Sequence, residues 1–514
     1  MSRADEIDLA IDLADEAATV ALAEDLAAIV RRGDALALVG DLGAGKSTLA
    51  RALIRCVAAD GDLEVPSPTF TLVQSYDLPR LALSHFDLYR LADADELDEL
   101  GFDEAMRDGA VLVEWPDRAG ERLPEAALIV VLDHGGSSTA RRARLIGPAD
   151  HWAARLERTR AIRAFLDRAG RPGTHRRHLQ GDASSRSYER IHDVLGSAVV
   201  MNHPPEADDE AGRARKVARA AAKLAEGPLP FLAMAGALAA VGVSVPKVLA
   251  HDLTEGFMLL EDLGGTFCVA GTPPLPIRER YLAAAELLAD LHGRDLPVEM
   301  ANGIGGIYHL PAYDMGNFEA EVSVFLDWGI PHLLGRPANA AEREGFLDAW
   351  RPLFAEILAG PQTWCLRDYH SPNLLWLPER TGLARVGVLD FQDTILGHPA
   401  YDVVSLAQDA RVDVSPALEA ELIGAYVAAR RRRGDFDESA FRRAYAILAA
   451  QRNTRILGVF ARLDARDGKP AYLAHMPRLW GYLGRVLDEA VLHPLKLWYE
   501  ETVPAQRRRS SRPV

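Results

Sequence analysis

The chain has 514 residues, 48% hydrophobic and 26% charged, a balance that excludes an intrinsically disordered protein and provides for roughly two to four domains. Its formal net charge of −16 excludes a protein that coats nucleic acid through general electrostatics. No apolar stretch reaches the ~20 residues needed to span a bilayer, and the acidic start MSRADEIDLAIDLADE lacks a signal peptide's basic residues and apolar run, so a cytoplasmic protein with no membrane partner is expected.

Residues 12–32 carry alanine and leucine at helical spacing and predict an amphipathic helix. Arg32-Gly33-Asp34 reads as a turn, and ALALVG (35–40) is an apolar run suited to a buried strand. GDLGAGKST (40–48) follows, and STLARALIRCVAA then repeats its apolar positions with helical period. Strand, glycine-rich loop and helix form the context that a phosphate-binding loop requires. VLVEW (111–115) and ALIVVLD (127–133) read as further strands, GGSSTARRARLIGPAD as one more, and HWAARLERTRAIRAFLDRAG as a helix. The boundary of this domain is placed near residue 150, before the breaker-rich GRPGTHRRH. SAVVM and FMLLEDL read as short strands, and beyond about 275 the chain is predominantly helical. Residues 506–514 read as a basic, disordered tail. Cys56, Cys268 and Cys365 lie far apart, match no metal or disulfide spacing, and read as reduced thiols.

In GDLGAGKST, Gly40, Gly43 and Gly45 let backbone N–H groups turn toward phosphate oxygens without Cβ clashes, with Ala44 and Thr48 completing the loop. Lys46 brings a positive charge to the β- and γ-phosphates and Ser47 offers a hydroxyl to Mg2+. The following helix directs its positive end at the same anion. Such a site binds ATP or GTP. It also needs a carboxylate for the metal, and Asp87 in SHFDLYR and Glu114 in LVEWPDR each end an apolar segment. Either acid alone also fits a solvated surface position.

Taken in order, GDLGAGKST, PSPTFTLVQSYD (66–77), HFDLYRL, ELGFDE and VEWPDR with ERLP resemble the motifs of the TsaE (YjeE) ATPase family over about residues 15–147. The resemblance implies a P-loop ATPase that supports threonylcarbamoyl-adenosine synthesis at position 37 of tRNAs. Its implied partners are TsaB- and TsaD-type threonylcarbamoyl-transferase proteins and, through them, tRNA. Its implied cofactors are ATP and Mg2+, with Ser47, Asp87 and Glu114 around the metal and the γ-phosphate, and Glu114 catalytic. Thr69 would stand in a switch-like loop and Trp115 beside the nucleotide.

A second constellation lies downstream. CLRDYHSPNLLWL holds Asp368 and Asn373 in an Asp-x4-Asn spacing, and seventeen residues later VGVLDFQDT places Asp390 at the end of an apolar run. A kinase acting on an alcohol needs one acid to accept the hydroxyl proton, and an amide and a second acid to hold Mg2+. Asp368, Asn373 and Asp390 fit those roles in order. QGDASSRSYER (180–190) reads as a phosphate-covering loop and strand, and GFMLLEDLGG (256–265) as a segment between lobes whose backbone at Glu261–Leu263 would bind adenine.

The region from about 155 to 500 resembles the aminoglycoside-phosphotransferase-like kinases, and within them the anomeric sugar kinases for N-acetylmuramate and N-acetylglucosamine. GDASSRSYER, VVMNHPPE, LRDYHSPNLLWL, VLDFQDTILGHPAYDVVSLAQDAR and AAQRNTRILGVFARL carry the likeness. It implies ATP-dependent phosphorylation of a sugar C1 hydroxyl, with Asp402 as a structural acid. Two positions depart from the pattern. Leu366 stands where most relatives have a loop-supporting histidine, and Met201 and Asn202 stand where a strand lysine is common, with Arg186 and Arg190 as candidate replacements. His370, Gln392, Arg452 and Arg455 are candidate substrate contacts. Gln451, Arg452, Asn453, Arg455 and Arg462 favour a neutral or carboxylated sugar over an amine, unless they form a solvated helix face. Kinases of another small alcohol, and a pseudokinase binding module, remain as alternatives.

The expected architecture is thus an α/β P-loop NTPase domain over 1–150, then a two-lobed α+β protein-kinase-like domain over 151–505. Its N-lobe is expected at about 175–264 and its C-lobe at about 265–500.

Overall fold

The computed structural model describes residues 6–179, 186–206 and 209–508. The chain forms two compact units, Met1–Pro204 with Leu249–Asp262, and Pro205–Val248 with Leu263–Val514. Residue 150 therefore lies inside the first unit, and the segment expected as the N-lobe is shared between the two.

The first unit opens with a sheet of β1 (Glu6–Leu13), β2 (Ala35–Val39), β3 (Val73–Tyr76), β4 (Leu83–Asp87), β5 (Ala110–Glu114), β6 (Leu128–His134) and β7 (Arg141–Pro148). Its order is β1-β7-β6-β2-β5-β4-β3, with β6, β2, β5 and β4 parallel. β5 is buried throughout and β2 all but its last residue, which is why both are continuous apolar runs rather than alternating ones. The helix predicted over 12–32 is corrected: α1 spans Glu16–Ile29, and the preceding EIDLAIDL is an edge strand antiparallel to β7. Its apolar and acidic residues alternate with period two, and Asp8 and Asp12 pair with Arg144 and Arg142 of β7. Asp15 then caps α1 by accepting the Ala18 N–H at 2.9 Å.

α1 and α2 (Lys46–Ala58) bury Leu22, Leu26, Leu49, Leu53 and Ile54 in one core with the sheet. The short helices α3 (Glu96–Glu99) and α4 (Phe102–Asp108) bury Leu97 and Phe102 with Phe86 in a second core. After β7, α5 (Ala149–Arg168) leads to a five-stranded sheet of β8 (His175–Leu179), β9 (Ser187–Asp193), β10 (Gly196–Asn202), β11 (Val248–Asp252) and β12 (Phe257–Glu261), in the order β11-β12-β10-β9-β8.

A buried ionic network fastens α1 to this second sheet. Arg176 of β8 donates to Glu189 of β9 at 2.6 and 3.0 Å and to Asp25 of α1 at 2.6 Å. Arg163 of α5 donates to the same Asp25 at 2.8 Å and to Glu24 at 3.0 Å. Every charge in the cluster has a partner, which is the condition for burying ions at all.

The second unit is mainly helical, as the sequence predicts beyond 275. It contains α6 (Glu210–Ala221), α7 (Leu229–Ala240), α8 (Arg278–Leu291), α9 (Met315–Val324), α10 (Ile330–Leu334), α11 (Ala340–Ala359), α12 (Ala400–Ala407), α13 (Pro416–Arg431), α14 (Glu438–Asp467), α15 (Met476–Val486), α16 (His493–Thr502) and α17 (Ala505–Arg508). Four two-stranded ladders interrupt them, β13 (Val269–Ala270) with β14 (Leu275–Pro276), β15 (Glu299–Ala301) with β16 (Ile307–His309), β17 (Thr363–Cys365) with β20 (Ile395–Gly397), and β18 (Leu374–Trp376) with β19 (Val386–Val388). The start of the expected tail is helical, because Arg508 donates at 2.7 Å to the carbonyls of Tyr499 and Val503 at the end of the preceding helix. The rest of that tail lies outside the described residues. Among them, no helix is long and apolar enough to cross a membrane.

Candidate active sites

The first site forms where β2 gives way to α2. Gly40 has φ 149°, and a Cβ there would collide with the Leu132 carbonyl oxygen, so the loop closes only with glycine. Gly45, at φ 108°, is the N-cap of α2 and turns the chain so that the helix end faces the loop. Lys46 Nζ donates to the carbonyls of Gly40 (2.7 Å) and Asp41 (3.0 Å) and lies 4.4 Å from the centroid of the Trp115 ring. A cavity of about 430 Å³ is lined by Gly43, Gly45, Lys46, Ser47, Thr48, Thr69, Asp87, Glu114 and Trp115, among others. Ala44 is buried in the loop, and its carbonyl accepts from Arg141 of β7 at 3.1 Å.

The acids converge through sheet register. Asp87 and Glu114 are the last residues of β4 and β5 and pair directly across the parallel ladder. Ser47 Oγ donates to Glu114 at 3.1 Å, and Thr69 Oγ1 donates to Asp87 at 3.0 Å. Both carboxylates are buried, so the solvated reading of either is excluded. Trp115, at φ 59°, packs against Tyr89 with ring centroids 5.1 Å apart and planes tilted by 54°, and lines the cavity. Sequence reasoning missed His85, whose Nε2 lies 3.1 Å from Glu114 Oε1, and Arg141, which also donates to the Gly43 carbonyl at 3.2 Å. His85 was legible in principle, since two-residue alternation along β4 puts it on the face of Asp87.

The second site is built on the loop from β17 to β18. Asp402, fully buried in the first turn of α12, accepts the backbone N–H groups of Leu366 (2.7 Å) and Arg367 (2.8 Å). These bonds hold the chain just before Asp368, with Arg367 at φ 64°. Leu366 is buried, and its N–H is anchored without an imidazole at that position. A different histidine, His292 after α8, places Nε2 3.4 Å from Asp402. Asn373 Nδ2 donates to the Asp368 carbonyl at 2.9 Å, which ties the two residues across the loop. Asp390 follows β19 at φ 55°, and Gln392 Nε2 bridges its carboxylate (2.8 Å) to that of Asp393 (3.1 Å). Gln392 is thereby a clamp on Asp390.

Asp368 keeps 34% of its side chain exposed. Burial opposes its ionisation, but the charge of His370 when protonated, together with those of Arg455, Arg367 and Arg452, holds the carboxyl below its ordinary range. His370, 3.8 Å from Asp368, is itself pushed down to about 4 by burial and is neutral at pH 7. Arg452 and Arg455 do not form a solvated face. Arg452 is buried and donates to the Gln408 carbonyl at 3.4 Å, while Arg455 donates to the Tyr401 hydroxyl at 3.0 Å.

Glu321 of α9 is the anion that makes this cationic cluster possible. It accepts from Arg367, from Gln451 at 2.7 Å, and lies 3.9 Å from Arg455. Glu321→Ala leaves the buried Arg367 and the half-buried Arg455 guanidinium groups without it and is expected to cost about 3–5 kcal/mol of stability. A urea unfolding curve with an unchanged midpoint would contradict that role.

Other expected residues fall elsewhere. Arg190 forms a two-pronged ion pair with Asp262 (2.7 and 3.1 Å). Met201 is buried in β10, and Asn202 accepts from Arg158 at 2.6 and 2.9 Å. Arg186 precedes β9, Glu261 ends β12, and Leu263 begins the second part of the other unit. Arg462 lies two turns beyond Arg455 on α14. The phosphate-covering loop expected at 180–190 lies outside the described residues through 185.

The candidate metal ligands at both sites are hard oxygen donors, Ser47 with Asp87 and Glu114, and Asn373 with Asp390. Among the described residues no group of three His, Cys, Asp or Glu forms a metal cage. That chemistry fits Mg2+, which is held by one or two carboxylates plus substrate phosphates.

Residues 13–143 match the family model described as threonylcarbamoyl adenosine biosynthesis protein TsaE, and residues 175–436 match the phosphotransferase enzyme family. The chain is 40% identical over 366 residues to an N-acetylmuramate/N-acetylglucosamine kinase of Caulobacter vibrioides, covering 69% of this chain and 99% of that protein. It is 34% identical over 312 residues to the protein of the same description in Pseudomonas aeruginosa, covering 59% of this chain and 80% of the relative. It is also 40% identical over 119 residues to the tRNA threonylcarbamoyladenosine biosynthesis protein TsaE of Bacillus subtilis, covering 23% of this chain and 73% of that protein. The two regions are a P-loop ATPase domain, tied by its family to tRNA-modification machinery, and a two-lobed α+β kinase domain, both ATP-dependent. The chain belongs to the phosphotransferase enzyme family through its larger part and to the TsaE family through its first third.

Proposed function

We propose that the kinase domain transfers the γ-phosphoryl group of ATP to the anomeric hydroxyl of N-acetylmuramate or N-acetylglucosamine, in recycling of cell-wall sugars. The arrangement of Asp368, Asn373 and Asp390 around the Asp402-anchored loop carries this reading. Asp368, ionised at neutral pH, accepts the sugar hydroxyl proton as the oxygen attacks phosphorus. Asn373 and Asp390 would hold Mg2+, which screens phosphate charge when bound. The positive charges of Arg455 and Arg452 beside Asp368 favour a neutral or carboxylated sugar over a polycationic aminoglycoside. A pseudokinase is disfavoured because all three phosphoryl-transfer residues are held in order.

The P-loop domain, in this reading, hydrolyses ATP in support of threonylcarbamoyl-adenosine synthesis, with TsaB- and TsaD-type proteins as partners and tRNA reached through them. Lys46 holds the phosphates, Ser47, Asp87 and Glu114 would hold Mg2+, and Glu114 orients water. The domain boundary near 150, between the two family matches, and a cytoplasmic location belong to the same proposal. The test is a screen of the purified chain with ATP against N-acetylmuramate, N-acetylglucosamine, an aminoglycoside, choline and a nucleoside. Expected is a sugar phosphate showing coupling between phosphorus and the C1 proton. Turnover confined to the amines or the nucleoside would overturn the substrate assignment.

A further inference from the structure

A second cavity, of about 600 Å³, lies wholly within the first unit between the helices α1 and α2 and the strands β8, β9 and β10. Neither the P-loop chemistry nor the kinase chemistry uses it. Arg51 and Arg55 line it one helical turn apart on α2, and Arg177 and Arg190 line it from the strands.

The placement of these charges works against folding. Arg177 and Arg190 are directly opposed across the β8–β9 ladder, and His175 opposes His192 in the same ladder. Like charges directly opposed on a sheet, or at i and i+4 on a helix, destabilise the free protein. Local carboxylates offset only part of this. Arg190 is matched by Asp262, and His175 by Glu24 at 2.8 Å. Arg55 donates to the Leu63 carbonyl at 2.9 Å, a neutral acceptor. Arg51 and Arg177 are exposed and have no carboxylate partner among the described residues. In a chain of net charge −16, this is a local positive basin walled on opposite sides.

We propose that this cavity binds a phosphorylated small molecule carrying at least two negative charges, gripped by Arg51 and Arg55 on one side and by Arg177 on the other. Guanidinium forks match phosphate oxygens in pairs. His192, Ser197 and Glu16 line the same cavity and supply hydrogen bonds for hydroxyl groups. The volume suits a sugar phosphate or a nucleotide. Thr48 lines both this cavity and the P-loop cavity, so the ligand would sit against the helix that carries Lys46 and Ser47.

The experiment uses the full chain with both nucleotide sites disabled by Lys46→Ala and Asp390→Asn. Calorimetric titrations are run with N-acetylglucosamine 1-phosphate, ADP and pyrophosphate, then repeated after adding Arg51→Glu and Arg177→Glu. Expected is saturable binding of at least one of these anions, weakened roughly tenfold or more by the charge reversals. Preference for the sugar phosphate or for ADP supports the site and names its source. Arg51→Gln with Arg177→Gln should show an intermediate loss, and a thermal midpoint that does not fall for either pair keeps misfolding from explaining the result. No binding in the disabled chain, or binding that survives both charge reversals, would overturn the proposal.

Discussion

Asp368→Asn is expected to lower sugar-kinase turnover by about 10²–10⁴-fold, the range for loss of a positioned general base. The substitution is nearly isosteric, and the contacts that shape the loop are made by backbone at this position. The Asp368 carbonyl accepts from Asn373, and Asp402 holds the two preceding N–H groups. The thermal midpoint and the KM for ATP should therefore change little while kcat falls. The cationic surroundings lower the carboxyl's pKa, so wild-type turnover should show no acidic limb from Asp368 in the ordinary carboxylate range. Full turnover by the variant would refute the assigned mechanism.

Lys46→Ala is expected to reduce ATP turnover at the P-loop by at least about 10²-fold, since a charge aimed at the transferring phosphate is removed. Lys46 is 6% exposed and already held over the loop by the Gly40 and Asp41 carbonyls, so little reorganisation separates it from that role. In cells the variant should lose threonylcarbamoyl-adenosine from tRNA while sugar phosphorylation by the same purified chain continues. Loss of sugar phosphorylation with intact tRNA modification would reverse the assignment of roles.

The features legible in the sequence were those encoded locally. Strand, glycine loop and helix are adjacent in the chain, and the φ values at Gly40 and Gly45 explain why GDLGAGKST is readable at all. β1 was hidden because its alternation runs straight into the alanine-rich pattern of α1, and only the cap at Asp15 separates them. The pairing of Asp87 with Glu114 depends on parallel register between strands far apart in sequence, which no local pattern carries. Glu321 was invisible for the same reason, since its partners Arg367, Gln451 and Arg455 lie on other elements. For Arg452 and Arg455 the helix was legible but its orientation was not. Burial of Gln451, Arg452, Asn453 and Thr454 along the middle of α14 shows that this polar stretch faces the protein interior.

The most direct test of one chain with two ATP sites is the number of nucleotides bound at saturation, measured by equilibrium dialysis with a non-hydrolysable ATP analogue. With the α1–α2 cavity closed to anions by Arg51→Glu and Arg177→Glu, the account predicts two per otherwise wild-type chain, one after Lys46→Ala, one after Asp390→Asn, and none when both are changed. A single nucleotide per wild-type chain, lost completely on Lys46→Ala, would contradict it.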